Sequence, residues 1–317
     1  MEYFLALDAG DSTTECWLAD REQVLARRSG ETIKLMEVGV PEASARLRTL
    51  VEETARVGGV PLFSIARSCL GLAGISSAGI RTWAEVTYTD FVSGELILVG
   101  DDEIALQSAF GDGPGILVIA GTGSRVVGRC SNGSRMTAGG WGPMLGDEGS
   151  GHWIGLEAVR SGLRARDRGV PSCLLREISA HWRLDNVDAL LVKANHRPRP
   201  EFSKLVPLVS ECASKGDVLA NSVLERAGEE LAAQVNLVVS KMMAAGCPAS
   251  DTRRVAFTGG VLGNTPVVHA KLQAALKRLQ PALEIDAEPI RPIEGALARA
   301  RSGKGQWGRS GPRNGDG

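Results

Sequence analysis

Short apolar runs, each ended by a loop rich in glycine and hydroxyls, alternate along this chain with longer stretches whose apolar residues recur at helical spacing. The short runs read as buried strands and the longer stretches as amphipathic helices. Tyr3 to Leu7 predicts a strand running into Asp8-Ala9-Gly10-Asp11-Ser12-Thr13-Thr14. Glu15 to Ala19 predicts a second, and Asp20-Arg21-Glu22 a polar turn before Gln23 to Ala26. The same order returns with a strand at Gly115 to Ala120, a loop at Gly121 to Ser124, a strand at Arg125 to Cys130 and a hairpin turn at Ser131-Asn132-Gly133. Strand, Gly/Ser/Thr loop, strand, turn, strand therefore occurs twice, which reads as a duplicated unit.

The remaining pattern alternates. Pro41 to Val57 predicts a helix with Leu47, Leu50, Val51 and Ala55 on one face and proline in its first turn. Ser68 to Leu72 and Glu95 to Val99 read as buried strands, and Asp102 to Phe110 as a helix. Ile154 to Arg164 and Val218 to Ala245 are predicted helices, the second with Val223, Ala227, Leu231 and Val235 in register. Arg254 to Phe257 is a strand leading into Thr258-Gly259-Gly260-Val261, and Pro266 to Leu279 and Ile293 to Arg301 close the chain as helices. Hairpins mixed with helix–strand units imply α/β domains with mixed sheets. The tail, 302–317, is Gly, Arg and Ser with almost no apolar anchors, and is expected to be disordered.

At 317 residues the chain is long enough for two domains, and a hydrophobic fraction of 43% suits a soluble globular protein. A formal net charge of −1 gives no electrostatic footprint for nucleic acid. No apolar run approaches bilayer length, and Met1-Glu2-Tyr3-Phe4 lacks the basic region and hydrophobic segment of a signal peptide. The six cysteines (Cys16, Cys69, Cys130, Cys173, Cys212 and Cys247) have no CxxC or CxxH spacing. That argues against a zinc site and a dense disulfide framework, and predicts reduced thiols in a cytoplasmic protein with no membrane or nucleic-acid partner.

Two stretches carry most of the chemistry. Gly121-Thr122-Gly123-Ser124 has the make-up of a phosphate loop, where glycines bring backbone N–H groups to the oxygens and hydroxyls add donors. Gly139-Gly140-Trp141-Gly142-Pro143-Met144-Leu145-Gly146-Asp147-Glu148-Gly149-Ser150-Gly151 is too rich in glycine, acids and Trp for an ordinary hairpin turn. Glycines bring backbone close to a ligand, an aromatic offers a face and carboxylates accept hydroxyl hydrogens, so a polyhydroxylated substrate beside a nucleotide phosphate fits the pair. Asp8, where a strand gives way to a loop, suits Mg²⁺ held through water, with Ser12, Thr13 and Thr14 as phosphate donors. An Asx-type turn explains the same residues equally well. Asp11 sits awkwardly beside phosphates. Asp101 is either a helix N-cap or the base that accepts a nucleophile's proton in phosphoryl transfer, and spacing alone does not choose between Asp101, Asp102 and Asp147. Thr258-Gly259-Gly260 is a turn or a third strand-to-loop junction against the nucleotide. No GxxxxGK[ST] occurs and no GxGxxG opens a helix after a strand, which removes the P-loop and dinucleotide readings. The four histidines form no metal-binding spacing.

Taken in order, these loops resemble the sugar-kinase, actin and chaperone-type ATPase superfamily, and within it the N-acetylglucosamine kinase and BadF/BadG/BcrA/BcrD ATPase family. Gly-Thr-Gly-Ser followed by Gly-Gly-Trp-Gly and Gly-Asp-Glu-Gly-Ser-Gly carries the resemblance, with Gly71-Leu72-Ala73-Gly74 and Pro292 to Ala296 extending it. It implies two ribonuclease-H-like, actin-like ATPase domains with mixed β-sheets and an interdomain cleft. The first would be 1–112, joined by the last helix at about 293–301, and the second 113–292. It also implies transfer of the γ-phosphoryl of ATP, with Mg²⁺, to a hydroxyl of an amino sugar of the N-acetylglucosamine or glucosamine type.

Carried over by position, the resemblance makes Asp101 the base, with Asp102 as fallback. Nucleotide falls to Asp8, Gly10, Ser12, Thr13, Thr14, Gly121, Thr122, Gly123, Ser124, Gly259 and Gly260. Sugar falls to Lys34, Asp101, Gly140, Trp141, Gly142 and Asp147. Two positions depart from the family's pattern: Asp11 replaces what is often Gly, and Lys34 stands where an Asn contacts the sugar. An ammonium there suits an acidic or altered sugar. The other branch of the family, ATPases that activate iron–sulfur dehydratases or reductases, needs cluster cysteines, and none adjoins Ala120-Gly121-Thr122-Gly123. A sugar sensor is disfavoured because the chain opens directly on its first strand. A homodimer is left open.

Overall fold

The computed structural model describes residues 1–197 and 199–303. The chain forms two compact units, one of Met1–Gly113 with the chain from Ile290 onward, the other of Pro114–Pro289.

In the first unit β1 (Tyr3–Ala9), β2 (Thr13–Ala19) and β3 (Val24–Glu31) form an antiparallel meander. After α1 (Leu35–Gly58), β4 (Ile65–Leu72) pairs parallel to β1. After α2 (Ala78–Thr89), β5 (Glu95–Gly100) pairs parallel to β4, and α3 (Asp101–Phe110) follows directly. The sheet order is β3-β2-β1-β4-β5. In the second unit β6 (Gly115–Ala120), β7 (Ser124–Arg129) and β8 (Arg135–Gly139) repeat the meander. Then come α4 (Gly151–Asp167), α5 (Leu174–Trp182), α6 (Val187–Asn195), α7 (Val206–Ser214) and α8 (Val218–Ala244). β9 (Arg254–Thr258) pairs parallel to β6, α9 (Gly260–Asn264) and α10 (Pro266–Leu279) follow, and β10 (Glu284–Ile285) pairs parallel to β9. Its order, β8-β7-β6-β9-β10, has the connectivity and strand senses of the first sheet. The repeat of strand, loop and strand in the sequence is thus a repeat of the whole sheet. α11 (Pro292–Ser302) follows β10 as α3 follows β5, and belongs to the first unit.

Strand parity sorts the first unit's side chains. Leu5, Leu7 and Ala9 face the α1/α2 side with Leu47, Leu50 and Val51, whereas Phe4 and Ala6 face the opposite side with Ile104, Ile293 and Leu297. Asp8 shares the parity of Phe4 and Ala6, so its side chain belongs to the face that carries α3. Gly295 lets α11 lie on α3, since a Cβ there would stand 1.9 Å from the Ile104 carbonyl oxygen. In the second unit one core of β6, β7, β9, α4, α7, α8 and α10 residues is continuous, with Val223, Ala227, Leu231 and Val235 all buried on α8.

Three expectations change. The helix predicted from Pro41 begins at Leu35, with a break at Gly39 (φ 75°, ψ 166°) before Pro41. A residue just before proline's neighbourhood avoids helical angles, and proline itself suits the first turn of the longer segment. Not all thiols are reduced: Cys130, just past β7, and Cys247, just past α8, form a disulfide with Cα atoms 5.8 Å apart. Packing of α8 along β7 brings together two cysteines that no local spacing relates. The tail predicted to be disordered lies, from residue 304 on, outside the described residues. Ser302 ends α11 and Gly303 caps it with left-handed angles.

Candidate functional site

Parallel strands that diverge in chain order leave a crevice at their carboxyl ends, and in the first sheet that point falls between β1 and β4. Register aligns Ala9 with Leu72 and Leu72 with Gly100, so Asp8 and Asp101 come off one edge of the sheet. Asp8 lies directly across from Glu15 on β2. Burial pushes the Asp8 carboxyl up to about 7, with Asp101 and Glu15 adding repulsion. Glu15 is itself paired with Arg291 at 3.1 Å. Asp101 opens α3, and the Asp102 N–H donates to its Oδ1 at 3.0 Å. Asp101, Asp102 and Glu103 all sit in the first turn, where carboxylates are favoured by the helix dipole. Glu103 lies 3.7 Å from the buried Arg299 of α11.

The first loop is a tight turn closed by the Gly10 N–H donating to the Thr13 carbonyl at 3.0 Å. Ser12 and Thr13 are exposed on it. Thr14 is not: it faces the α1 core, fully buried, and its Oγ1 has no partner. Of the three hydroxyls expected to meet phosphate, Thr14 alone is turned inward, because it pairs with Ala9 and shares its parity. The Thr32 hydroxyl ties the segment after β3 to this loop, donating to the Gly10 carbonyl at 3.0 Å and accepting from the Lys34 N–H at 3.1 Å. Lys34 then bridges two acids, with Nζ 2.6 Å from Asp11 Oδ1 and 3.1 Å from Glu37 Oε1. The ammonium expected to await an acidic sugar is therefore already paired. The two residues that depart from the family's pattern neutralise each other.

In the second unit the Gly121–Gly123 loop turns through a Gly121 N–H to Gly123 carbonyl bond of 2.9 Å. Gly259 lies against it: with φ at 102°, a Cβ there would stand 2.3 Å from the Ala120 carbonyl oxygen. The start of α4 completes the cluster, as the Gly151 and His152 N–H groups donate to the Gly121 and Thr122 carbonyls at 2.8 and 3.1 Å. Ser124 Oγ donates to the Glu148 carbonyl at 2.8 Å, and Ser150 caps α4 by accepting from the Trp153 N–H. Gly121, Thr122, Gly123, Gly259 and Gly260 are thus brought to one edge, together with Gly151 and His152. Sequence reasoning gave these last two no role, although Ser150 ahead of a periodic apolar stretch is an N-cap signal.

The glycine-dense loop folds on itself. Gly139, Gly140, Gly142 and Gly149 all take positive φ, and so does Asp147 at 61°. Asp147 is 5% exposed, and its Oδ1 accepts the Gly142 N–H at 3.2 Å, so its first task is to shape the loop. Trp141 is 70% exposed, alongside exposed Met144 and Leu145.

Two units of one connectivity, each opening on a strand–Gly/Ser/Thr turn–strand hairpin, define a duplicated actin-like ATPase fold. The chain belongs to the BadF/BadG/BcrA/BcrD ATPase family, which it matches over residues 5–298. It is 28% identical over 313 residues to the N-acetylmuramic acid/N-acetylglucosamine kinase of Clostridium acetobutylicum, covering 95% of this chain and 99% of that one. It is 27% identical over 319 residues to the N-acetyl-D-glucosamine kinase of Dictyostelium discoideum, covering 96% and 99%. Its fold matches that of a ROK family glucokinase from Streptomyces griseus with a TM-score of 0.61 at 14% identity, over 95% of this chain and 99% of that one.

Proposed function

We propose that this protein is an ATP-dependent kinase that phosphorylates a hydroxyl of an amino sugar of the N-acetylglucosamine or glucosamine type. The observation that carries the reading is the pair of edges: an acidic one with Asp101 at a helix start, and a glycine edge of Gly121–Gly123 and Gly259–Gly260. Two near-full-length relatives named as kinases of such sugars support it. In this reading Asp101 accepts the proton of the attacking hydroxyl, and the N–H groups and hydroxyls of 10–13 and 121–124 hold the phosphates. The Gly259–Gly260 backbone meets the nucleoside. Gly140, Trp141 and Gly142 meet the sugar on a loop held in shape by Asp147.

Mg²⁺ supplies charge neutralisation on the transferring phosphoryl group. The donor set fits a hydrated ion: Asp8, Asp101 and Glu15 crowd one another, as the raised Asp8 carboxyl records. Among the described residues no group of three or more His, Cys, Asp or Glu side chains is placed to hold a metal by itself. Asp8 would therefore hold the ion through water, as Mg²⁺ favours. The iron–sulfur branch fits less well. Cys16, Cys69 and Cys212 are buried, and burial pushes each thiol up to about 12, away from the thiolate a cluster needs.

The test is Mg²⁺-dependent ADP release across neutral, cationic, acidic and anhydro sugars, with a no-sugar control. Stimulation by an amino sugar is expected. Hydrolysis that ignores every sugar would move the assignment to an activating ATPase.

A further inference from the structure

A shallow depression opens where β1 and β4 diverge, at the edge that carries Asp8 and Asp101. Its floor is apolar, from Ala9, Ile33, Leu72, Ala73 and Trp83, and its one charged group is Lys34. Thr32 and the Gly10 carbonyl fix the backbone that presents Lys34. Two of the three ammonium N–H bonds are directed at Asp11 and Glu37. One positive charge against two negative leaves the cluster with a net charge of −1.

The cations on neighbouring elements are occupied as well. Arg46 pairs with Glu31 and Glu42, Arg291 with Glu15, and Arg81 of α2 also has a partner. Asp8, Asp101 and Glu15 add further negative charge along the same edge. An uncharged pyranose suits these surroundings. Its C–H face covers the apolar floor, its hydroxyls donate to the carboxylates, and a hydroxyl or amide oxygen takes the remaining Lys34 N–H. A carboxylate on that ring would meet Asp11 and Glu37 with no cation left to balance it.

We propose that the Asp11–Lys34–Glu37 cluster makes the sugar site select neutral or cationic amino sugars and reject the same sugars when they carry a carboxylate. The inference rests on the kinase reading, and it narrows that reading to the uncharged members of the substrate class. Asp11 is then a specificity residue acting through its charge. A Gly at that position would leave Lys34 able to receive an acid.

The experiment compares kcat/KM for N-acetylglucosamine, glucosamine and N-acetylmuramic acid, which is N-acetylglucosamine bearing a lactyl carboxylate. It uses the full chain and the variants Asp11→Asn and Glu37→Gln, each checked by its melting temperature. One uncompensated charge at contact range in a half-buried site predicts a preference for the neutral sugar of about 10- to 100-fold. That preference should shrink as ionic strength rises. Asp11→Asn should narrow the ratio by about tenfold, and Glu37→Gln in the same direction but less, because Glu37 is the more exposed carboxylate. A merely structural role for the cluster would move stability or both sugars together, and leave the ratio and its salt dependence alone. Equal use of the neutral and acidic sugars by the unmodified protein overturns the inference, as does a ratio unmoved by both variants. ADP release with no sugar at all removes the kinase reading, and the inference with it.

Discussion

Asp8 and Asp101 are the residues on which the chemistry turns, and they are held in opposite ways. Asp101 sits at a helix start, where its charge is favoured. Asp8 is buried among acids, and its carboxyl is pushed from 3.8 to about 7. With the folded value above the unfolded one, the native state holds the proton more tightly, so charging Asp8 costs stability as pH rises from about 4 to 7, in full above that. Asp8→Asn should therefore abolish activity yet raise stability at pH 8 by at most about 4 kcal/mol, the gain fading towards pH 4. Urea melts of both proteins across that range read this directly, and parallel pH profiles would mean that Asp8 is not held this way. Asp101→Asn should lower kcat by about 10²- to 10⁴-fold while ATP affinity stays within a few-fold. Steady-state rates beside calorimetric nucleotide binding make the check. Near-normal turnover would pass the role of base to Asp102.

Among the elements, α11 shows how far a local pattern reaches. Pro292 at its first turn, apolar residues at helical spacing and Gly303 after it mark its start, face and end. Nothing local says that it packs on α3, some two hundred residues earlier in the chain. Gly295 decides that, by allowing backbone to approach the Ile104 carbonyl and the Ser108 N–H. Gly295→Ala places a methyl group 1.9 Å from that oxygen, so the helices must separate. A loss of about 3 kcal/mol or more is expected, at the upper end of overpacking costs. Because α3 begins with Asp101, turnover should fall more than the stability loss alone predicts at moderate temperature. Denaturant midpoints beside rates at 15 °C separate the two effects. Unchanged stability would mean that α11 is not seated on α3.

For the molecule as a whole, the two units carry separate cores, and the Cys130–Cys247 disulfide lies entirely in the second. It closes a loop with a sequence separation of 117 residues, which restricts the unfolded chain of that unit alone. Reduction should cost the second unit about 2–5 kcal/mol. Hydrogen exchange with and without dithiothreitol should show faster exchange in β6, β7 and β9 and little change in β1, β4 and β5. Equal acceleration in both would mean that the units unfold as one. The same scale explains what could be read in advance. The duplicated hairpins were visible in the sequence because a strand, its turn glycines and its partner strand are neighbours in the chain. α2 and the short helices α5, α6 and α7 were not, since nine- to twelve-residue segments carry too few periods to stand out.

Local chemistry fixed the α/β class, the phosphate-type loops, the helix at 266–279 and the acids at the end of β5, because each depends on residues within a turn or two of one another. Tertiary structure decided which distant groups meet. It buried Thr14 by strand parity, set Asp8 against Glu15 and Asp101 by register, joined Cys130 to Cys247, and turned Asp147 inward to hold its own loop. It also paired Lys34 with Asp11, two residues that read separately from the sequence as an open cation and an awkward acid. A charge's effect depends on what lies within a few ångströms of it, and for residues far apart in the chain only folding sets that distance.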